Sequence, residues 1–524
     1  MNKTLKALSL IFILLLILAS CDAAITQPGV TGTETATDIP ELVEPECNAH
    51  ADADDDGACD NCTVSLYISA DFYVLNDLHG KFDDTSTNEG VDELTTYLKQ
   101  MSHNDDNPFF LSSGDMWQGS SESNLTKGMI MTEWMNELGF VSMTLGNHEF
   151  DWGEEFIAAN DEIAEFPFLA INIYDRTTNQ RVEYCEASVV VECDGIQIGI
   201  IGAIGDCYSS ISSDKTADIY FKTGAQLTKL VKDEATRLRN MGVDYIIYSV
   251  HDGFESNKKN NYYASDKELK AYYDTALSDG YVDLVFEGHT HKSYVLIDSE
   301  GVYHMQNGGE NQGISHVEIM INSVTGSSLV TKAEVVKSNT YTKYDDDPIV
   351  DELLEKYKDM IAQGNVVLGN NYRWRDDEEV EALVAKLYFE AGYERWSSEY
   401  DIVLGGGFIR TRSPYDLDSG TVKYSDIQSL LPFDNEIVLC SIKGSDLIEK
   451  FIETDNSDYF VFYGEYGNSV KNSINPYATY YVICDSYTSS YAYNRLTVVD
   501  TYDTGVFARD LVAEFIKNGG WANK

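Results

Sequence analysis

Short apolar runs alternate with amphipathic stretches over residues 66–335. The clearest runs are residues 66–75, 109–111, 245–250 and 282–286. Runs of this length are typical of buried strands. Residues 225–241 have helical spacing with basic residues late in the segment, where they complement a helix dipole. The alternation predicts an α/β domain over residues 66–335.

A second pattern begins near residue 366 and continues to residue 524. It predicts a helix over residues 378–393, a strand over 401–404 that leads into a glycine run, and a closing helix over 507–517. Residues 336–365 separate the two patterns, and their polar start predicts a linker helix. A chain of 524 residues exceeds one ordinary core, so we expect two domains and accessory segments.

The N-terminus has the pattern of an export signal. Lys3 and Lys6 flank a short apolar run over residues 8–19, which is too short to span a bilayer comfortably. The ending Leu-Ala-Ser-Cys resembles a bacterial lipoprotein signal, which implies that residues 1–21 end at a lipidated Cys21. An unprocessed anchor is the alternative. Either outcome predicts an exported protein on the cell membrane, facing outside the cytoplasm.

The formal net charge is -50. An acidic surface repels phosphate backbones, which excludes sequence-independent binding of nucleic-acid polymers. A small anionic substrate would need metal ions or arginines close by to offset this field. Solubility at a cell surface is the simpler explanation of the acidity.

Five polar clusters close apolar runs and hold five of the nine histidines. They are Asp77-Leu78-His79-Gly80, Gly114-Asp115, the segment from Gly146 to Asp151, His251-Asp252-Gly253, and Gly288-His289-Thr290-His291. In open α/β sheets, loops at the carboxyl ends of separate strands converge on one site. The clusters therefore predict one shared functional site.

The side chains in these clusters suit a pair of divalent metals. Seven residues could serve as ligands, and a bridging Asp115 would give each metal four contacts. The mixed nitrogen and oxygen set favours Mn, Zn, Fe or Co over Ca or Mg. The predicted ligands are Asp77, His79, Asp115, Asn147, His251, His289 and His291.

These motifs, in this order, resemble the calcineurin-like metallophosphoesterase domain of the 5′-nucleotidase and UDP-sugar hydrolase family. The resemblance implies a metallophosphoesterase β-sandwich flanked by helices, followed by a smaller α+β substrate-binding domain over residues 366–524. One metal would take Asp77, His79, Asp115 and His291. The other would take Asp115, Asn147, His251 and His289. Many family members have Gln where His291 stands.

His148 and Asp151 resemble the catalytic dyad of that family. Metal-hydroxide attack on phosphorus would be in line, with the metals stabilising charge on the phosphoryl oxygens. His148, held by Asp151, could then support a phosphoryl or leaving oxygen. A surface acid after a turn is the simpler interpretation of Asp151.

The second domain matches the family in outline. Gly405-Gly406-Gly407-Phe408-Ile409-Arg410 resembles an Asn-Gly-Gly-Gly-Ile-Arg loop, and Leu431-Pro432-Phe433-Asp434-Asn435 resembles a Pro-Phe-Gly-Asn loop. Arg410 would then bind phosphate, because a guanidinium fits phosphate oxygens. Phe433 and Tyr487 would stack on a base, although Phe433 could instead be core. Arg375 or Arg373 would be a second phosphate contact.

The match also departs from the family. The Asn of the glycine loop is missing and Phe408 replaces a glycine. Residues 489–494 replace the family's Gly-Gly-Asp-Gly segment, so the acidic ribose contact has no evident counterpart.

Residues 22–65 predict an acidic linker, of which 22–46 would be a disordered tether. Asp52, Asp54, Asp56 and Gly57 match half of a calcium loop, but Thr63 stands where the bidentate Glu belongs. A zinc site is the second interpretation, and an acidic spacer with a local disulfide is the third. The zinc ligands would be Cys47, His50, Cys59 and Cys62.

The sequence thus predicts an exported dinuclear-metal phosphohydrolase acting on nucleoside 5′-monophosphates. UDP-sugars and 2′,3′-cyclic nucleotides are further candidate substrates. Two alternatives stay open: a metallophosphatase for a non-nucleotide phosphoester, and a surface-binding lipoprotein with a vestigial phosphoesterase fold. The complete ligand set argues against the last.

Overall fold

The computed structural model describes residues 50–61, 65–83, 90–104, 107–213, 215–254, 280–298, 300–406, 417–453, 461–462, 472–490, 494–502 and 505–521. Residues 50–524 belong to one compact unit. The predicted signal segment, Cys21, Cys47, Cys62 and Arg410 lie outside the described residues.

Two six-stranded sheets form the centre of the first domain. One has the order β14-β13-β1-β2-β3-β4 and the other β11-β12-β10-β9-β7-β6. In chain order the strands are β1 Tyr67–Leu75, β2 Pro108–Ser112, β3 Ser142–Thr144, β4 Phe168–Leu169, β5 Ile173–Asp175, β6 Ser188–Cys193, β7 Ile196–Ile204, β8 Ile219–Phe221, β9 Tyr245–His251, β10 Leu284–Phe286, β11 Ser293–Ile297, β12 Tyr303–Asn307, β13 Gly313–Asn322 and β14 Ser328–Lys337.

Both sheets pair in parallel at their centres; the second is antiparallel at both edges, and the first at the edge formed by β13 and β14. β1, β2, β3 and β4 run parallel, while β13 pairs antiparallel with β1. In the other sheet β7, β9, β10 and β12 run parallel. Parallel strands that are covered on both faces have continuous apolar sequences. The apolar runs in the sequence therefore predicted these strands.

Helices cover the outer faces of the two sheets. Phe72, Ile198 and Phe286 belong to the core between the sheets, Trp134 to the core under one helical layer, and Val231 to the core under the other. The described helices of this domain are α1 Asp92–Asn104, α2 Ser121–Thr126, α3 Met129–Leu138, α4 Glu154–Ile163 and α5 Ala225–Asn240. The result is a β-sandwich flanked by helices.

The second domain has its own apolar cores, which include Val384, Leu439 and Val482. A five-stranded sheet of order β19-β16-β20-β18-β21 is the larger of its described sheets. The strands are β15 Val367–Asn371, β16 Ile402–Gly405, β17 Gly420–Lys423, β18 Ile437–Lys443, β19 Val461–Phe462, β20 Thr479–Asp485 and β21 Thr497–Thr501.

The remaining helices are α6 Pro348–Ile361, α7 Asp377–Trp396, α8 Tyr424–Leu430, α9 Gly444–Leu447, α10 Ser486–Ser490 and α11 Ala508–Lys517. α6 begins where Asp347 accepts a hydrogen bond from the N–H of Ile349, with Pro348 at the first position. Proline is tolerated there because that N–H has no helical partner.

The predicted fold class, a β-sandwich followed by a smaller α+β domain, is confirmed. The predicted helices over 225–241, 378–393 and 507–517 are also confirmed, within a few residues at their ends. None of the described helices is both long and apolar enough to cross a bilayer.

Candidate active site

The five polar clusters meet where five parallel strands end. Asp77 and Asp115 follow β1 and β2, and Asn147 follows β3 of the same sheet. His251 ends β9, and His289 follows β10 of the facing sheet. The carboxyl ends of both sheets therefore contribute to one site, as the sequence predicted.

Asp77, His79 and His291 form one group of donor atoms. Their nearest side-chain donors lie within 4.8 Å of one another. Nε2 of His291 is 3.3 Å from Asp77 Oδ1, and the Nε2 atoms of His79 and His291 are 3.0 Å apart. Two imidazole nitrogens at this distance need a proton or a cation between them.

Asp115 and His251 form a second group beside the first, with Asp77 shared. Nε2 of His251 is 3.0 Å from Asp115 Oδ2 and 3.9 Å from Asp77 Oδ1. His289 Nδ1 lies 2.9 Å from Asn147 Oδ1, and its backbone N–H donates to the Asp77 carboxylate at 2.8 Å. The structure thus brings all seven predicted ligands to one place.

Two backbone carbonyls set the orientation of the buried histidines. His79 Nδ1 lies 3.0 Å from the carbonyl of Gln118, and His251 Nδ1 lies 2.7 Å from that of Ser113. A carbonyl only accepts, so Nδ1 carries a proton in both rings and Nε2 faces the carboxylates, where it can bind a proton or a metal. Lone pairs of imidazole and carboxylate that converge in this way fit divalent cations.

The backbone is strained at the same residues. Asp77, His79, Asp115, His289 and His291 all have φ between 50° and 69°. Residues other than glycine rarely adopt this left-handed conformation, and such strain clusters at functional sites. Gly146 allows a close approach of two loops, since a Cβ there would lie 2.3 Å from Asp115 Oδ1.

The charges in the cluster perturb one another strongly. Burial would lower the pKa of His251, but Asp115, Asp77 and Glu149 outweigh burial and raise that pKa to about 10. Burial would raise the pKa of Asp115, but His251, His148 and His79 hold it well below its ordinary value. The cluster therefore attracts positive charge, and a metal would compete with protons for it.

Glu149 is a residue whose role the sequence did not reveal. Its buried carboxylate accepts hydrogen bonds from the backbone N–H groups of Asp115 at 2.9 Å, Met116 at 2.8 Å and Gly146 at 2.7 Å. Burial, and then the charge of Asp115, raise the pKa of Glu149 to about 7. Glu149 thus ties the loop that carries Asp115 to the loop that carries Asn147.

The predicted dyad lies at the edge of the ligand cluster. His148 Nδ1 is 2.8 Å from Asp151 Oδ2, in a short turn at residues 148–150. The backbone N–H of His148 donates to Asp115 Oδ1 at 2.8 Å, and the rings of His148 and His79 are 5.2 Å apart. His148 can therefore exchange a proton with a group bound at the cluster.

Cys207 is a second residue that the sequence did not single out. Its thiol donates to the carbonyl of His251 at 2.9 Å. The sulfur and a ring nitrogen each of His251 and His289 lie within 4.8 Å of one another. Burial first, and then nearby carboxylates, raise its pKa well above the ordinary value. It therefore helps to hold His251 in place.

The predicted substrate-binding residues lie in different surroundings. The ring of Phe433 is 5.9 Å from that of His148, so the predicted stacking residue lies beside the predicted dyad. Tyr487 is the second residue of α10, which follows β20. The N–H of Ser486 donates to the carbonyl of Glu436, just before β18, so both aromatic residues lie at the same end of the sheet. The base clamp stays a prediction.

Arg375 has structural contacts. It is buried, donates to Asn371 Oδ1 at 3.1 Å and lies over Trp521. Arg373 pairs with Glu379. These contacts favour a packing function for Arg375 rather than the predicted phosphate contact, which stays untested.

The described part of the acidic segment, residues 50–61, packs against the turn between β13 and β14. Asn322 donates to Asp52 Oδ2 at 2.5 Å, and Asp52 accepts from the N–H of Gly57 at 3.0 Å. Carboxylate oxygens of Asp52, Asp54 and Asp56 lie within 4.8 Å of one another. His50 Nδ1 is 3.3 Å from Cys59 Sγ. The calcium loop, the zinc site and the acidic spacer all remain predictions for this segment.

Comparison with known proteins gives two consecutive family matches. The calcineurin-like phosphoesterase family matches residues 70–293, and the 5′-nucleotidase C-terminal domain matches residues 361–492. Protein UshA of Yersinia enterocolitica is 26% identical over 418 residues, covering 71% of this chain and 72% of that protein. A 5′-nucleotidase of Diplobatis ommata is 25% identical over 436 residues, covering 74% of this chain and 72% of that protein.

Solved structures show the same fold. The 5′-nucleotidase precursor of Thermus thermophilus superposes with a TM-score of 0.66 at 18% identity, covering 86% of this chain and 96% of that one. The two family matches stand in the order that the two domains have in the fold, and together they span more than half of the chain. The chain therefore belongs to the 5′-nucleotidase family of calcineurin-like phosphoesterases and is a metal-dependent phosphoric monoester hydrolase.

Proposed function

We propose that this enzyme removes phosphate from nucleoside 5′-monophosphates at a site that holds two divalent metals. The observation that carries the proposal is the 5.9 Å contact between the rings of His148 and Phe433. An aromatic ring beside the predicted dyad supports a binding surface for a base there. A phosphate at the ligand cluster and a base on Phe433 could then belong to one substrate.

The protein's own residues would divide the work. Asp77, His79 and His291 would hold one metal, and Asn147, His251 and His289 the other, with Asp115 between them. Mn, Zn, Fe or Co suits this donor set. When bound, the metals supply an activated water and neutralise charge on the phosphoryl oxygens.

His148 would act on the substrate rather than on the metals. Asp151 fixes the ring through Nδ1, which leaves Nε2 as the atom that passes a proton to the leaving oxygen or stabilises a phosphoryl oxygen. The N–H bond to Asp115 Oδ1 fixes the distance of His148 from the cluster.

A comparison of three substrates tests the proposal. Purified enzyme with added metal is assayed on AMP, ribose 5-phosphate and 4-nitrophenyl phosphate. We expect AMP to be hydrolysed far better than ribose 5-phosphate, because stacking contributes about 1–3 kcal/mol per aromatic face. Phe433→Ala should remove most of that difference. UDP-glucose and 2′,3′-cyclic AMP extend the same assay to the further candidate substrates.

A metallophosphatase for another phosphoester is the second candidate. Residues 489–494 in place of the family's Gly-Gly-Asp-Gly segment favour it. Equal rates for AMP and ribose 5-phosphate would select this function. Hydrolysis of none of the substrates by metal-loaded enzyme would select a vestigial phosphoesterase fold instead.

We also propose that the protein is exported and anchored through lipid at Cys21. The support is the sequence of residues 1–21 alone. Mass spectrometry of the native protein should find a lipid-modified Cys21 at the mature N-terminus, and Cys21→Ala should release the protein from the membrane. An unmodified Cys21 would reject the anchor.

A further inference from the structure

The loop that carries Phe433 is joined to the first domain by an ion pair. Lys127 Nζ lies 3.2 Å from Asp434 Oδ2, and 307 residues separate the two in sequence. On its other side Asp434 pairs with Arg509, which also donates to the carbonyl of Phe433 at 2.9 Å. One carboxylate thus connects a cation of each domain, next to the residue that meets His148.

Lys127 is itself held in a fixed position. It follows α2 with a left-handed backbone, φ 53°, and its N–H donates back to the carbonyl of Asn124. Asn160 donates to the carbonyl of Lys127 at 2.8 Å. A left-handed lysine costs conformational free energy and persists only where surrounding contacts fix it.

The side chain of Lys127 also reaches the turn that holds the dyad. Its Nζ lies 5.1 Å from the ring centre of Trp152, the residue after Asp151, and 5.7 Å from that of Phe156. Lys127 therefore contacts both the dyad turn and the Phe433 loop.

The electrostatics agree with a persistent pair. Burial lowers the pKa of Lys127, and Asp434 opposes that effect. Burial would raise the pKa of Asp434, but Arg509 and Lys127 bring it below its ordinary value. A pair that is partly removed from water is screened less by salt than an exposed one. Asp434 would keep Arg509 as a partner if Lys127 were neutralised.

We propose that Lys127 is a positioning residue that fixes the Phe433 loop against the His148 turn and so determines the preference for nucleotides. It acts through Asp434 and touches no reacting atom. The proposal rests on the proposed function, because it needs a substrate that reaches both Phe433 and the ligand cluster. Hydrolysis of a substrate without a base should not depend on Lys127.

Kinetics provide the first test. Lys127→Met keeps an apolar chain over Trp152 and removes the charge. We expect KM for AMP to rise roughly 5- to 20-fold, a fraction of what stacking on an aromatic ring contributes. We expect kcat/KM for ribose 5-phosphate, which has no aromatic ring to stack on Phe433, to change by less than about 2-fold. Lys127→Arg, which keeps the charge, should stay close to the wild type.

Lys356→Met is the matched control, since Lys356 also pairs with a carboxylate, Glu133, on another helix but is more exposed. This variant should leave the kinetic constants for both substrates unchanged. A double-mutant cycle completes the test. Asp434→Asn should raise KM for AMP by a smaller factor in the Lys127→Met background than in the wild type. Additive effects would overturn the proposal, as would equal losses on AMP and ribose 5-phosphate, because a general loss of structure gives that result.

A readout without substrate separates failure of this proposal from failure of the proposed function. Amide hydrogen exchange of residues 431–436 should be faster in Lys127→Met than in the wild type and in Lys356→Met. Unchanged exchange would overturn the positioning. If the wild type treats AMP and ribose 5-phosphate alike while exchange does accelerate, the nucleotide assignment fails, and with it the link from Lys127 to specificity.

Discussion

Replacing Glu149 by glutamine should loosen the two loops that carry Asp115 and Asn147. In the wild type one carboxylate oxygen accepts from the N–H groups of Asp115 and Gly146, and the other accepts from those of Met116 and, at 3.4 Å, Trp117. Glutamine keeps one acceptor oxygen and places an NH2 group at the other position. In either orientation of the amide, two backbone N–H groups would then face a donor.

The magnitude follows from these contacts. Each buried donor left without an acceptor costs about 1–3 kcal/mol. Glutamine also avoids the burial of charge that raises the pKa of Glu149 to about 7, which offsets part of this loss. We therefore expect the free energy of unfolding to fall by roughly 2–4 kcal/mol. Metal affinity should fall about 10- to 100-fold, as for other groups that orient metal ligands.

Urea unfolding at neutral pH and metal titration of the same preparations measure both effects. Glu155→Gln is the control, because Glu155 is exposed on α4 and its substitution should stay within about 0.5 kcal/mol of the wild type. A Glu149→Gln protein with the wild-type unfolding midpoint and metal affinity would refute the reasoning. It would mean that the backbone N–H groups find other acceptors.

Three further predictions concern other groups. The wild type should bind close to two equivalents of metal, and Asp115→Ala should lose most metal and activity; full activity after thorough chelation would contradict this. His148→Asn should lower kcat about 10²–10⁴-fold, the range for a lost general acid or base, with metal content unchanged; loss of metal would place His148 among the ligands. Burial raises the pKa of Asp485 to about 6, so its folded state binds more protons and its contribution to stability falls as pH rises from about 4 to 6. Asp485→Asn should therefore be more stable than the wild type at pH 8, by up to about 3 kcal/mol, and nearly equal to it at pH 4; parallel pH profiles in chemical unfolding would exclude this.

Much of the first domain was predictable because its central strands are buried on both faces. β1 is buried over its last six residues and β9 over its whole length, and both are mainly apolar. Each therefore appears as an apolar run that ends in a polar cluster. The second domain was less predictable. β15, β17 and β21 lie at edges or in a two-stranded sheet and contain polar and exposed residues, and such strands have no continuous apolar signal.

The ligand set was predictable for a related reason. Each ligand lies at the end of a strand or in the turn after it, so the order of the clusters along the sequence predicted that they meet. Cys207 and Glu149 had no such signal. Cys207 reaches the carbonyl of His251 from 44 positions away, and Glu149 acts on backbone N–H groups, which no residue type identifies. The pair between Lys127 and Asp434 spans both domains and depends on how they pack.

Five predicted ligands have a left-handed backbone conformation, which explains why the site needs rigid surroundings. Asp77, His79, Asp115, His289 and His291 would each relax to an ordinary conformation if the loops were mobile, since each such residue costs about 1–3 kcal/mol. The parallel strands fix the loops at one end. Glu149 holds the loop of Asp115, and the carbonyls of Ser113 and Gln118 hold the rings of His251 and His79. The donor atoms are thus held in place by the sheets and these buried contacts, so metal binding need not order five separate loops. Loss of a buried support should accordingly weaken metal binding even though it removes no ligand.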